Sequence, residues 1–180
     1  YYFIDDNGDT LDFYNISRLI RCSYDPNDKL TYPDRIGEEN YTLFSEDIVY
    51  TIRFQNTGND TAYNVNIFDE DFLFYFHSDS IIILESSHDV KTIITDDPAL
   101  HFVFDNILLP DSATNFEASQ GYVTFTGKYI RPLEEGAKIY NKADIIFDFN
   151  PPIKTNFVVN TMVTSLPCPD DSIYQIDNYL

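Results

Sequence analysis

The sequence predicts an all-β fold made of two packed antiparallel sheets. Three observations predict it. Apolar side chains recur with period two rather than 3.6. Clusters of Asp, Asn, Gly and Pro punctuate the chain at short intervals. The 14 Tyr and 15 Phe among 180 residues supply enough apolar bulk to fill an interior between such strands.

Tyr1–Ile4 and Arg18–Arg21 read as strand-like, with Asp5-Asp6-Asn7-Gly8-Asp9 between them. Residues 1–22 are therefore expected to be the end of a preceding domain or an edge hairpin. The first strong strand is Ile48–Gln55. One face carries Ile48, Tyr50, Ile52 and Phe54, the other Val49, Thr51, Arg53 and Gln55. It ends at the turn cluster Asn56-Thr57-Gly58-Asn59-Asp60. Tyr63–Phe68 follows, with Tyr63, Val65 and Ile67 on one face. Asp69–Tyr75 is the only helix-compatible stretch. Further strands are expected over 81–85, 90–95, 100–104, 121–130, 138–147 and 156–164. Asp96-Asp97-Pro98, Pro110-Asp111-Ser112, Arg131-Pro132 and Asn150-Pro151-Pro152 separate them. About seven to nine short strands without helices predict an immunoglobulin-like β-sandwich over residues 23–166. Trp is absent, so the Cys…Trp…Cys mark of antibody domains is missing. Residues 167–180 are polar and acidic and read as a linker or the start of a next module.

Thirty acidic and 11 basic residues give a net charge of -19. A basic face for nucleic acid is excluded, and attraction to anionic lipid is disfavoured. No run is long and apolar enough for a membrane helix, so membrane insertion is not expected. The chain opens at Tyr1 rather than Met, which reads as a fragment or a processed chain. Cys22 and Cys168 allow one bridge near the two ends, or two unpaired thiols.

Several segments, taken together and in order, resemble a known family. They are Ser23-Tyr24-Asp25-Pro26-Asn27-Asp28-Lys29, Tyr50–Val65 with its Asn56-Thr57-Gly58 strand end, Asp105-Asn106-Ile107, Leu109-Pro110-Asp111-Ser112, and Asn141 followed by Ala143–Ile153. The set resembles the conserved repeat domain of large secreted Bacteroidetes proteins, substrates of type IX secretion, and the wider group of bacterial surface repeats with an Asn-Thr-Gly strand end. The resemblance spans roughly residues 22–166. It implies an immunoglobulin-like repeat domain in an extracellular, cell-surface, multidomain protein. One departure stands out: Ser119-Gln120-Gly121 lies where such domains usually carry Ser-His-Gly.

The resemblance also suggests an intramolecular isopeptide bond, which related surface repeats sometimes form. Lys29, Asp69 and Asn141 have the types and the order for it. A Lys on an early strand attacks an Asn on a late one while a buried carboxyl shuttles protons. The reaction needs a neutral amine and a protonated acid, which burial among aromatics supplies. On this reading Lys29 precedes the first strand, Asp69 ends one and Asn141 opens a late one.

Calcium is the second expectation, because Ca²⁺ takes oxygen ligands from short acidic loops. Asp25, Asn27 and Asp28 follow the residue order of cadherin interdomain linkers. Asp5 and Asp9 flank Gly8 in a second oxygen-rich loop, and Asp148 and Asn150 form a third. None has the EF-hand spacing, and Asp, Asn and Gly are also what turns are made of. His77, His88 and His101 are scattered, which argues against zinc. No Gly-x-Ser-x-Gly is present. The chain is therefore read as non-enzymatic: a spacer or adhesive module contacting neighbouring domains of its own polypeptide. The alternatives are a module binding a glycan or a cell-surface protein, and a filament subunit built by strand complementation. Phe72, Phe74, Tyr75 and Phe76 are dense enough either to stack on sugars or to pack a core, with the core the expectation.

Overall fold

The computed structural model describes residues 2–4, 10–13, 26–35, 39–94 and 99–167. In chain order the strands are β1 (Tyr2–Ile4), β2 (Thr10–Phe13), β3 (Asp28–Tyr32), β4 (Tyr41–Leu43), β5 (Val49–Gln55), β6 (Val65–Asp69), β7 (Ile82–Ser86), β8 (Lys91–Ile94), β9 (Leu100–Phe104), β10 (Gln120–Thr126), β11 (Lys138–Asn141), β12 (Asp144–Phe147), β13 (Ile153–Lys154) and β14 (Val158–Val163). A single helical turn, α1 (Phe72–Tyr75), and a 3₁₀ turn at Ser78–Ser80 lie between β6 and β7.

Strands β1 and β2 pair with each other antiparallel. The remaining strands form three sheets, ordered β3-β5-β10-β7, β13-β12-β6-β9-β8 and β11-β14-β4. The expected immunoglobulin-like β-sandwich is what forms. The interior is where the period-two pattern puts it. Tyr50, Ile52 and Phe54 of β5 and Val123 and Phe125 of β10 face Val65 and Ile67 of β6 and Phe102 and Phe104 of β9, all buried. Aromatic rings bridge the two large sheets, Phe54 to Phe104 at 5.1 Å and Phe102 to Phe125 at 4.7 Å between centroids. Phe72 of the α1 turn and Phe76, the residue that follows it, stack at 4.2 Å, and both are buried in this core.

The strand count exceeds the expectation, and β4 lies parallel to β14. The expected strand 138–147 is two strands in two different sheets. The chain crosses over at Lys142-Ala143, where the Ala143 amide donates to Thr155 Oγ1 instead of to a ladder. Lys29 does not precede the first strand of the sandwich; it lies inside β3. Asn141 does not open a late strand; it ends β11. Strand β3 is absent from the pattern-based expectation because its own pattern is inverted. Leu30 and Tyr32 point outward, 43% and 68% exposed, while Lys29 is fully buried. Lys29 is therefore not the exposed cation its charge suggests.

Candidate functional site

The site is built where the three sheets meet. Strand β3 pairs with β5, placing Lys29 opposite Ile52 with its side chain in the interior. On its other side the β3 backbone is held by one side chain. The Lys29 amide donates to Asn156 Oδ1 at 3.0 Å, and Asn156 Nδ2 donates to the Lys29 carbonyl at 2.9 Å. Strand β6, in the opposite sheet, ends at Asp69. One oxygen of Asp69 accepts from the Phe72 amide at 3.1 Å, which ties the carboxyl to the start of the α1 turn. Strand β11, in the third sheet, ends at Asn141.

Lys29 Nζ donates to Asp69 Oδ2 and, at 2.7 Å, to Asn141 Oδ1. All three residues are fully buried. The ammonium end also lies 4.9 Å from the Tyr50 ring centroid and 5.5 Å from that of Phe125. Sequence separations of 40 and 112 residues thus collapse to one hydrogen-bonded cluster. Burial pushes the Lys29 pKa down, against the attraction of Asp69, and pushes the Asp69 pKa up, against that of Lys29. Both shifts favour the uncharged pair, an amine with a free lone pair beside a protonated acid. Tyr50 Oη and Asn141 Nδ2, also buried, have no hydrogen-bond partner among the described residues. Burial raises the Tyr50 phenol pKa above its ordinary value, and the nearby Asp69 carboxyl adds to the rise.

The other candidate residues do not converge in this way. Asn27 Oδ1 accepts from the Gln55 amide at 3.1 Å. Asp28 takes Arg53 with both oxygens, Nε at 2.7 Å and Nη2 on the second oxygen. Asp148 sits at φ 50° and spends its carboxylate on the Tyr63 and Asn64 amides, at 2.7 to 3.1 Å. Asn150 is exposed in the turn that follows. Asp5, Asp9, Asp25, Cys22, Cys168 and the segment 18–21 lie outside the described residues, as does the tail beyond Pro167. Among the described residues no three His, Cys, Asp or Glu side chains gather as a metal-sized cluster. His88 Nδ1 is 2.8 Å from Ser87 Oγ at the surface, and His101 Nε2 is 3.0 Å from Asn66 Oδ1 while its ring stacks on Phe68. Phe72 and Phe76 are core, as expected, whereas Phe74 is 66% exposed.

Two participants were not singled out from sequence. Asn156 acts through a side chain that imitates a strand backbone, and nothing in its sequence context marks it. Tyr50 is one tyrosine in a strand face of apolar residues. Its only mark is a hydroxyl at a position where Phe would serve.

In fold the chain is similar to the C-terminal domain of the Streptococcus pyogenes antigen I/II-family protein AspA. The match has 12% identity, covers 77% of this chain and 47% of that one, and has a TM-score of 0.50. It is also similar to the Corynebacterium diphtheriae major pilin SpaA, a protein of modular pilus assembly with stabilising isopeptide bonds. There the identity is 12%, the coverage 75% of this chain and 38% of the pilin, and the TM-score 0.48. The chain thus spans under half the length of either. The collagen-binding subdomain of the Enterococcus faecalis surface protein ACE aligns at 10% identity over 78% of this chain and 98% of that one, with a TM-score of 0.42. No curated protein matches the chain in sequence. Residues 25–161, which span the sandwich from just before β3 into β14, match the family described as Domain of unknown function (DUF7619), and the chain belongs to that family.

Proposed function

We propose that this domain is a non-catalytic structural module of a secreted, cell-surface protein, locked by an isopeptide bond between Lys29 and Asn141. The observation that carries the reading is the sealed cluster of Lys29, Asp69 and Asn141. An amine and an amide held in hydrogen-bond contact have already lost the translational freedom that makes aminolysis of an amide slow. The neutral Lys29 Nζ attacks Asn141 Cγ, and the carbonyl π pair moves to Oδ1. Asp69 accepts a proton from Nζ and returns one to Nδ2. The Cγ–Nδ2 bond then breaks and ammonia leaves. The products are one secondary amide and one ammonia, with Asp69 unchanged.

The energetics favour this use of the residues. A buried Lys–Asp pair is weak evidence for stability, because desolvating two charges offsets their attraction. Amide formation removes the amine for good and leaves a neutral group in an aromatic interior. The module's work is then mechanical, holding neighbouring domains apart while resisting unfolding and proteolysis. The motif resemblance to secreted Bacteroidetes repeats supports the cell-surface setting, and the charge of -19 supports solubility at that surface.

Intact-mass spectrometry tests the reading. The chain is expected to be lighter than its sequence by one ammonia, about 17 Da. The Lys29→Ala and Asn141→Ala variants are expected at their sequence masses. A parent chain at its full sequence mass overturns the proposal.

A further inference from the structure

Among the described residues the buried hydroxyl of Tyr50 finds no hydrogen-bond partner, and the crosslink chemistry above does not use it. A buried hydroxyl without a partner costs free energy that a Phe at the same place would not. The Tyr50 ring already makes the contacts Phe would make. It meets Phe72 and Phe76 edge-on at 6.1 and 5.9 Å, and Phe125 at 5.9 Å. The oxygen alone is unexplained.

Its neighbour supplies the explanation. Asn141 presents two ends to the cluster. Oδ1 accepts from Lys29 Nζ, and Nδ2, the atom that must leave, is the second orphan of the site. Lys29 Nζ, 2.7 Å from Asn141 Oδ1, lies 4.9 Å from the Tyr50 ring centroid, so both orphans belong to one cluster, and the Asn141 side chain opposes the rise of the Tyr50 pKa. While Asn141 is an amide, the Nδ2 lone pair is delocalised and accepts no proton. Attack by Nζ makes Cγ tetrahedral and converts Nδ2 into an amine with a localised lone pair. At that moment an O–H donor beside it gains a hydrogen bond that it lacked in the ground state. Interactions that appear only on the way to the transition state are the ones that accelerate a reaction.

We infer that Tyr50 is a catalytic residue of the crosslinking reaction, its hydroxyl donating a hydrogen bond to Asn141 Nδ2 as that nitrogen departs. The inference rests on the isopeptide reading. Tyr50 keeps its own proton through the cycle. The proton that completes ammonia travels from Lys29 Nζ by way of Asp69, so the balance written above stands.

The test follows crosslink formation in the whole chain of residues 1–180, made fresh by cell-free translation and sampled by intact mass over time. Four forms are compared: the parent, Tyr50→Phe, and chains carrying 3-fluorotyrosine or 4-fluorophenylalanine at position 50. The first fluorinated residue keeps the hydroxyl, and the second fills its space without donating. Tyr50→Phe and the 4-fluorophenylalanine chain are expected to lose ammonia on the order of a hundredfold more slowly. The 3-fluorotyrosine chain is expected to react within a few-fold of the parent, about the scatter of such effects. Loss of ammonia from Tyr50→Phe at the parent's rate overturns the inference. So does a 3-fluorotyrosine chain as slow as the Phe variant, which would make packing rather than the hydroxyl responsible. A parent chain that never loses ammonia overturns the isopeptide reading itself, an outcome distinct from both.

Discussion

A covalent tie between Lys29 and Asn141 has a mechanical signature that can be worked out from the chain. Consider a molecule held by its two ends and pulled apart. Without the tie, every residue between β3 and β14 can be drawn out. With it, the chain between Lys29 and Asn141, a separation of 112 residues, lies inside a closed loop that force never reaches. At about 3.3–3.6 Å per extended residue, the tie hides roughly 370–400 Å of chain. The load-bearing route runs along β3, through the new amide, and into the last strands. Only about 22 residues, from Asn141 to the end of β14, remain free to extend, or roughly 75 Å. Single-molecule force spectroscopy between flanking handle domains measures this length directly. The parent chain is expected to release no more than that short segment. Asn141→Ala, which removes the acceptor but keeps the Lys29–Asp69 pair, is expected to release the hidden length as well. A parent chain that gives up its full contour length would refute the argument, however stable the domain proved to be.

Two further expectations concern stability. Closing a loop of this size costs the unfolded ensemble about 5 kcal/mol of chain entropy, so Asn141→Ala should melt roughly 10–20 °C below the parent by differential scanning calorimetry. Equal melting temperatures would mean that no loop had been closed. Gly121→Ala should destabilise by about 1–3 kcal/mol in chemical denaturation, because a Cβ there would lie 2.3 Å from the Phe54 ring. Phe54 is packed edge-on against Phe104 and Phe147 and has nowhere to retreat, so a neutral result would mean that the ring is not confined as described.

The sandwich was legible because its main strands alternate cleanly. Ile48, Tyr50, Ile52 and Phe54 face inward as period two demands, and so do Val65 and Ile67. Strand β3 was illegible for a physical reason. A strand that turns Leu30 and Tyr32 to solvent and buries a lysine breaks the rule by which strands are found, and it breaks it at the cluster. The split of residues 138–147 was hidden as well. Ile139, Asn141, Ala143, Ile145 and Phe147 keep one unbroken alternation, and only hydrogen bonding shows that the chain changes sheets midway. Of the cluster itself, residue type and order pointed to Lys29, Asp69 and Asn141, while their contact is a property of the fold. Asn156 and the Tyr50 hydroxyl gave no sequence signal, since each matters only through what the folded chain places beside it.

The double grip of Asn156 on the main chain of Lys29 has a consequence for crowded surfaces. A bare strand margin invites a foreign segment to dock along it and propagate into aggregates. Here one side-chain amide offers the donor and acceptor that an intruding peptide would bring, at the residue whose amine is buried against Asp69 and Asn141. A second molecule seeking that margin finds the main chain of Lys29 already paired.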